Sequence, residues 1–243
     1  MELIVIGTGS KGNGYVLRDS KGECLLLECG MKLIECKKSL DFDISQLKNA
    51  LVTHSHLDHS KYIHEYSKIG IQIFTCQSVT DKFNSPLTPI TTIEKNKTIQ
   101  IGSFKVLPFE AKHDVECYSF LIEHPECGKI VFITDSYYCK YTFKDVQHWI
   151  IEANYSQKII NEKIEQHGIN HFLKDRILKS HLSLENCIET LKANDLSKTQ
   201  NIILIHLSDS NSNEKEFIQE VEKNVQRFCQ VANNGMKIKL DIF

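Results

Sequence analysis

Short apolar runs, each closed by a polar or glycine-bearing stretch, recur along the 243-residue chain. Glu2 to Gly7, Tyr15 to Arg18, Cys24 to Leu27, Ala50 to Val52, Ile71 to Thr75, Tyr118 to Ile122, Lys129 to Ile133, Trp149 to Glu152, Asn201 to Ile205 and Met236 to Phe243 read as strands. Thr98 to Pro108 reads as a hairpin turning at Gly102-Ser103. Between the strands, apolar positions recur at helical spacing in Met31 to Leu40, Lys61 to Ile69, Leu184 to Ala193 and Glu214 to Phe228. Gln77 to Phe83, Ser156 to His167 and Asn170 to Lys179 also read as helices. On the Lys61 helix the pattern places Tyr62, Ile63, Tyr66 and Ile69 on the packed face, and Ser183 is positioned to cap the helix after it. Strands alternating with helices define an α/β chain. No linker, repeat or low-complexity block divides it, so one domain is expected over residues 1–243.

The polar stretches that close the apolar runs carry the candidate chemistry. After Ala50-Leu51-Val52 comes Thr53-His54-Ser55-His56-Leu57-Asp58-His59, three imidazoles and a carboxylate within six residues. On an extended segment alternate residues face the same way, so His54 and His56 can reach one ion. Asp58 and His59, after the chain turns, can reach a second. Imidazole and carboxylate are the usual ligands of zinc at a catalytic centre. His113 and Asp114 stand at another strand end, Asp135 closes Lys129 to Ile133, and His206 follows Asn201 to Ile205. Two His-Leu-Ser tripeptides, His181 to Ser183 and His206 to Ser208, occur in the second half. Gly7 to Gly14 holds four glycines in eight residues and permits close backbone approach. As a phosphate loop it is weak, because no Gly-Lys-Ser/Thr ends it.

His-x-His-x-Asp-His after a short strand resembles the signature of the metallo-β-lactamase fold. The resemblance implies an αββα four-layer sandwich with a two-metal site at one edge. It implies His113 as the third histidine of the first metal, Asp135 as the bridge between both, and His206 as the last ligand of the second. Together with His54, His56, Asp58 and His59 they complete the expected ligand set. Glu28 stands where such proteins usually carry an aspartate that supports the metal histidines, and Asp114 could orient an imidazole. Asn13, in a Gly-Ser-x-Gly-Asn-like loop, is a candidate contact to substrate or to the metal loop, and Ser208 a candidate substrate contact. Glu152 and Asn154 share a strand face and could brace the site, although a structural role is the simpler expectation. Within the fold, the chain looks most like the WalJ/YycJ-type and ribonuclease Z-like phosphodiesterases, with compact phage anti-Pycsar enzymes in the same group. Tyr155 replaces the histidine that often follows Asn154 in that group, and the long transfer-RNA-gripping arm of ribonuclease Z is lacking.

Composition narrows the partners. Net charge is −2 and the lysines are interleaved with acids, which favours a small nucleotide over a polynucleotide held by its phosphates. Nine scattered cysteines without a Cys-x-x-Cys pair read as free thiols in a reducing compartment. No apolar run reaches the ~20 residues that span a bilayer, and the first residues lack a secretory n-region, so a bacterial or phage-infected cytoplasm is expected. The expected cofactors are two Zn2+, with Mn2+ as a substitute, and the expected state is a homodimer. The expected reaction is hydrolysis of a cyclic mononucleotide (cCMP, cUMP, cAMP or cGMP), with Asp58 and the ions forming the attacking group and His181 as proton donor to the leaving oxygen. Such an activity would evade cyclic-nucleotide antiphage signalling. The alternatives are a WalJ-type nuclease on DNA or RNA and, in another class, a catalytically inactive nucleotide-binding module. The proline-bearing loop at 84–90 is a candidate lid or oligomer contact.

Overall fold

Alternation within the apolar runs decides which side of each strand meets which layer. The computed structural model of the chain describes residues 1–83, 85, 90–167 and 178–242. It contains two seven-stranded sheets. The first is built from β1 (Glu2–Gly7), β2 (Gly14–Arg18), β3 (Cys24–Leu27), β4 (Leu47–Val52), β5 (Gln72–Thr75) and β6 (Ile90–Thr92) in sequence order. The second runs from β7 (Ile99–Ile101), β8 (Phe104–Glu110), β9 (Tyr118–His124) and β10 (Gly128–Ile133) to β11 (His148–Glu152), β12 (Asn201–Ile205) and β13 (Cys229–Val231). The closing strand β14 (Lys237–Lys239) returns to pair antiparallel with β1. Both sheets are mixed: hairpins at one side, and parallel neighbours from β3 to β6 and from β10 to β13.

On β10, Ile130 and Phe132 enter the core between the sheets, whereas Val131 and Ile133 face the opposite way with Trp149 and Ile151. That outer face is covered by α6 (Leu184–Lys192) and α7 (Glu214–Val225), through Cys187, Leu191, Phe217 and Val221. α1 (Leu33–Ser39), α3 (Ile63–Lys68) and α4 (Gln77–Phe83) pack on the first sheet. The order helix, sheet, sheet, helix is the expected four-layer sandwich. α5 (Gln157–His167) follows β11, and the Ser183 hydroxyl caps α6 by accepting from the Asn186 N–H at 3.1 Å.

Two expectations need correction. The helix expected from Lys61 to Ile69 is the shorter α3, with a separate turn before it, α2 (Leu57–Ser60); Ile69 lies beyond α3, 45% exposed, while Ile63 and Tyr66 are buried. The last helix stops at Val225 because Gln226 turns left-handed (φ 52°), which frees Cys229 to open a strand too short to show an alternation. The loop at 84–90 and the helix expected at 170–179 fall almost entirely outside the described residues. The nine cysteines are all free thiols, and every one but Cys139 is buried. No helix among the described residues is long and apolar enough to cross a membrane.

Candidate metal centre

The carboxyl ends of the central strands converge at one edge of the sandwich, where open α/β sheets place their ligands. Glu28 follows β3, His54 follows β4, Asp135 follows β10, Glu152 ends β11 and His206 follows β12. Three of these residues leave their strand with left-handed backbone: Glu28 (φ 71°), Asp135 (φ 40°) and His206 (φ 56°). Non-glycine residues there cost on the order of 1 kcal/mol each and concentrate at functional sites. The turns aim each side chain inward rather than along the sheet edge.

Three groups of donor atoms form among the described residues, and all contain Asp135; the third joins it to Glu152, His181 and His206, and the other two hold the expected ligands. In one, His54, His56, His113 and Asp135 bring one ligand atom each within 4.8 Å of one another; in the other, Asp58, His59, Asp135 and His206 do the same. His113 Nε2 is 3.1 Å from His56 Nδ1, His206 Nε2 is 3.2 Å from Asp58 Oδ2, and His59 Nε2 is 3.2 Å from Asp135 Oδ1. All seven residues expected as ligands therefore meet at one place. Asp58 and His59 reach it because His56 starts the single turn of α2.

The hydrogen-bond network assigns the tautomers of two imidazoles. Thr53 Oγ1 donates to Glu28 Oε1 at 2.6 Å, so it can only accept from His54 Nδ1, 2.9 Å away. His54 is thus protonated on Nδ1, and its Nε2 is a buried lone pair with no hydrogen-bond partner, 3.7 Å from Asp135 Oδ2. His113 Nδ1 lies 2.8 Å from the Ser180 carbonyl, which can only accept, and this leaves Nε2 as a lone pair facing the cluster, 3.1 Å from His56 Nδ1. An unpartnered buried nitrogen aimed at a carboxylate, as His54 Nε2 is, is costly unless a cation meets it. The donor set fits a divalent cation.

Charges show the same demand. Burial and the neighbouring rings push His54 well below the ordinary histidine value. Burial also opposes charge on His59 and His206, yet the carboxylates around them win. Asp135 and Glu28 hold His59 well above the ordinary value, and Asp135, Asp58 and Glu152 raise His206 to about 10. Without an ion, protons supply the positive charge that Asp58 and Asp135 require; burial works against both carboxylates, but the surrounding imidazoles hold them well below the usual range.

The supporting residues depart from expectation in two places. Asn13 is fully buried, with Nδ2 3.1 Å from His59 Nε2 and Oδ1 accepting from the Gly9 N–H. It braces the metal loop and has no surface left for a substrate, which corrects its assignment as a substrate contact. Asp114 sits 3.0 Å from His113 Nε2 and 3.4 Å from His56 Nε2, on the same nitrogen of His113 that faces the cluster. The Ser180 carbonyl, not Asp114, orients the His113 ring from outside. Glu28 supports His54 through Thr53 and lies 3.4 Å from His59 Nδ1, so the extra methylene is absorbed.

Glu152 proved more than structural. Fully buried, its carboxylate accepts from the Ser136 and Leu182 N–H groups at 3.2 and 2.9 Å and lies 2.7 Å from His181 Nδ1 and 3.3 Å from His206 Nδ1. Its place at the end of an apolar strand, like Asp135 and His206, was the available signal. Because Glu152 occupies Nδ1, His181 offers the cavity its other nitrogen. Burial opposes a charged His181 ring, but Glu152 and then Asp135 raise it above the ordinary value. Asn154 Nδ2 donates to the His206 carbonyl at 2.8 Å and fixes the left-handed turn. Ser208 lines the cavity over the cluster, with Ser10, Leu57, Ser180, Ser210 and Asn211 on the walls; its volume is about 570 Å³.

Fold and donor set together define a metal-dependent hydrolase of the metallo-β-lactamase fold. The model of the metallo-β-lactamase superfamily matches residues 7–65. The exodeoxyribonuclease YycJ of Bacillus anthracis is 26% identical over 228 residues, covering 87% of this chain and 84% of that protein. The anti-Pycsar protein Apyc1 of Bacillus phage 010DV004 is 35% identical over 65 residues, 24% of this chain and 25% of that one. The metallo-β-lactamase fold protein YhfI of Bacillus subtilis superposes with a TM-score of 0.71 at 16% identity, covering 97% of this chain and 98% of the other. The first two relatives are of the YycJ and anti-Pycsar types that the sequence resembles, and the third shares the fold.

Proposed function

We propose that the protein is a two-zinc phosphodiesterase acting on cyclic mononucleotides. The observation that carries this is the pairing of two donor groups that share Asp135 with a His181–Glu152 pair beside them. His54, His56, His113 and Asp135 would hold one ion, and Asp58, His59, Asp135 and His206 the other. Bound zinc supplies Lewis-acid stabilisation of phosphoryl charge and acidifies water to near neutrality.

The chain's own residues provide the rest. Asp58 and Asp135 place negative charge where the attacking water must lose its proton. Glu152 holds His181 by Nδ1, so the proton on its other nitrogen faces the cavity and can pass to the leaving oxygen. The cavity of about 570 Å³ suits a ligand of mononucleotide size. The short match to the phage anti-Pycsar protein supports the cyclic substrate. A nuclease on DNA or RNA is the second reading, favoured by the match to YycJ over 87% of this chain.

Incubation of the metal-loaded protein with cCMP, cUMP, cAMP, cGMP and labelled single-stranded DNA and RNA tests the choice. Opening of at least one cyclic phosphate with the polynucleotides left intact is expected. Cleavage of polynucleotide alone would transfer the assignment to the nuclease, and no cleavage with zinc or manganese would leave a binding module.

A further inference from the structure

Once a phosphate lies over the histidine and aspartate cluster, the sugar and base of a nucleotide must meet the walls of the cavity. The wall after β12 is built from Ser208, Ser210 and Asn211. It is fixed at several points. The Ser208 N–H donates to the Asn154 carbonyl at 2.8 Å, the Asn211 N–H to Ser208 Oγ at 3.3 Å, and the Ser212 hydroxyl to the Ser208 carbonyl at 2.7 Å. The Asn211 carbonyl accepts from the Ser156 N–H at 3.0 Å and ties the wall to the start of α5.

The Asn211 side chain is oriented from behind. Lys163 of α5 brings its ammonium to the Ser210 carbonyl and to Asn211 Oδ1, 3.3 Å away. An ammonium only donates, so the carboxamide oxygen must face Lys163. The amide nitrogen then turns away from α5, on a residue that lines the cavity, and no acceptor among the described residues is paired with it. Asn211 presents a fixed donor with two hydrogens on an otherwise uncharged wall.

We propose that Asn211 reads the base of the nucleotide, with Lys163 as the positioning residue. A donor of this kind selects a base edge with two adjacent acceptors: O2 and N3 of cytosine, or O6 and N7 of guanine. Uracil places its N3–H beside each acceptor, adenine places its exocyclic amine beside N1 and N7 and keeps N3 as a single acceptor, and both offer a poorer edge. The inference rests on the phosphodiesterase reading and names its substrate class more narrowly.

The test compares wild type with Asn211→Ala, Asn211→Asp, Lys163→Met and Lys163→Arg. The readout is kcat/KM for cCMP, cGMP, cUMP and cAMP, each divided by that of the same variant on the base-free diester bis(p-nitrophenyl) phosphate. Loss of one neutral hydrogen bond corresponds to about tenfold. The cCMP and cGMP ratios are expected to fall by that factor, in KM rather than kcat, while the cUMP and cAMP ratios move less than twofold. Lys163→Met should reproduce part of the loss and Lys163→Arg restore it. Calorimetric binding of CMP and AMP to the zinc-loaded proteins asks the same question without turnover: Asn211→Ala should weaken CMP selectively. Equal changes for all four bases, or CMP binding unaltered by Asn211→Ala, would overturn the assignment. A wild type that binds CMP through Asn211 yet cleaves no diester would sink the phosphodiesterase reading while keeping the base contact.

Discussion

Gly30→Ala is a substitution of one methyl group at a residue that touches no metal-binding side chain. A Cβ built at Gly30 would lie 1.7 Å from the Asp58 carbonyl oxygen, 2.5 Å from its carbon and 2.7 Å from the Asn13 nitrogen. Ordinary carbon contacts are ~3.5 Å, so the Asp58 peptide must retreat by about 1.8 Å. That motion breaks the hydrogen bond from the Asn13 N–H to the Asp58 carbonyl, 2.7 Å long, and disturbs its neighbours, Gly30 N–H to Asn13 at 2.9 Å and Cys29 N–H to His59 at 2.7 Å. Two buried backbone groups left unpaired cost ~1–3 kcal/mol each, about 2–6 kcal/mol in all. The displaced residues are Asp58 and His59, and mispositioned support weakens metal affinity by about 10–100-fold. Urea unfolding in excess chelator reports the first number, and zinc competition against a chromophoric chelator the second. Gly70→Ala is the control: its Cβ meets nothing within 4 Å, but its φ of 89° makes alanine cost about 1 kcal/mol without touching the site. A Gly30→Ala protein with zinc affinity within threefold of wild type would refute the claim that this glycine sets the height of the metal loop.

Other outcomes follow from the same geometry. His56→Ala should abolish both zinc content, by elemental analysis, and turnover; retention of two equivalents of zinc would remove it from the ligand set. His181→Ala should keep its zinc and lose about 100-fold or more in kcat, the usual worth of a general acid, and unchanged kcat would exclude it as proton donor. Glu152→Gln removes the carboxylate that raises His181, so the protonated ring becomes scarcer at a given pH. Its alkaline loss of kcat should begin at lower pH than in wild type, and an unmoved limb would show that Glu152 acts only through packing. His148 is fully buried on β11, its Nδ1 3.1 Å from Asn201 Nδ2 and its Nε2 unpartnered, and burial lowers it to about 4. A depressed histidine gives stability that is present above the unfolded value of ~6.5 and lost as pH falls towards 4, about 2 kcal/mol by pH 5. His148→Gln should lose less stability than wild type between pH 7 and 5 in urea titrations; equal losses would place the acid sensitivity elsewhere.

Much of the architecture was legible because apolar runs of strand length end in residues that must point somewhere specific. His54 to His59 stood out because they close an apolar run, and His113, Asp135 and His206 joined them as one set through the resemblance to the metallo-β-lactamase fold. What escaped were residues whose role depends on facing partners. Glu152 has no neighbouring histidine in sequence, and only the turn at Leu182 brings His181 to it. Asn13 was expected to contact either substrate or the metal loop, and only its burial against His59 decides for the loop. Asp114 follows His113 directly, which suggests an orienting role, yet the carbonyl of Ser180, 67 residues further on, performs it. β13 was missed because three residues cannot display a period.

The donors come from both halves of the sandwich: His54, His56, Asp58 and His59 from the first sheet's edge, and His113, Asp135 and His206 from the second's. An ion seated among them is a rivet through two plates, joining positions up to 148 residues apart without a covalent bond (Asp58 to His206). Occupancy at a thousand times the dissociation constant would add about 4 kcal/mol to the folded state, comparable with a disulfide across a long loop. Metal supply thus sets how long the molecule lasts as well as how fast it works.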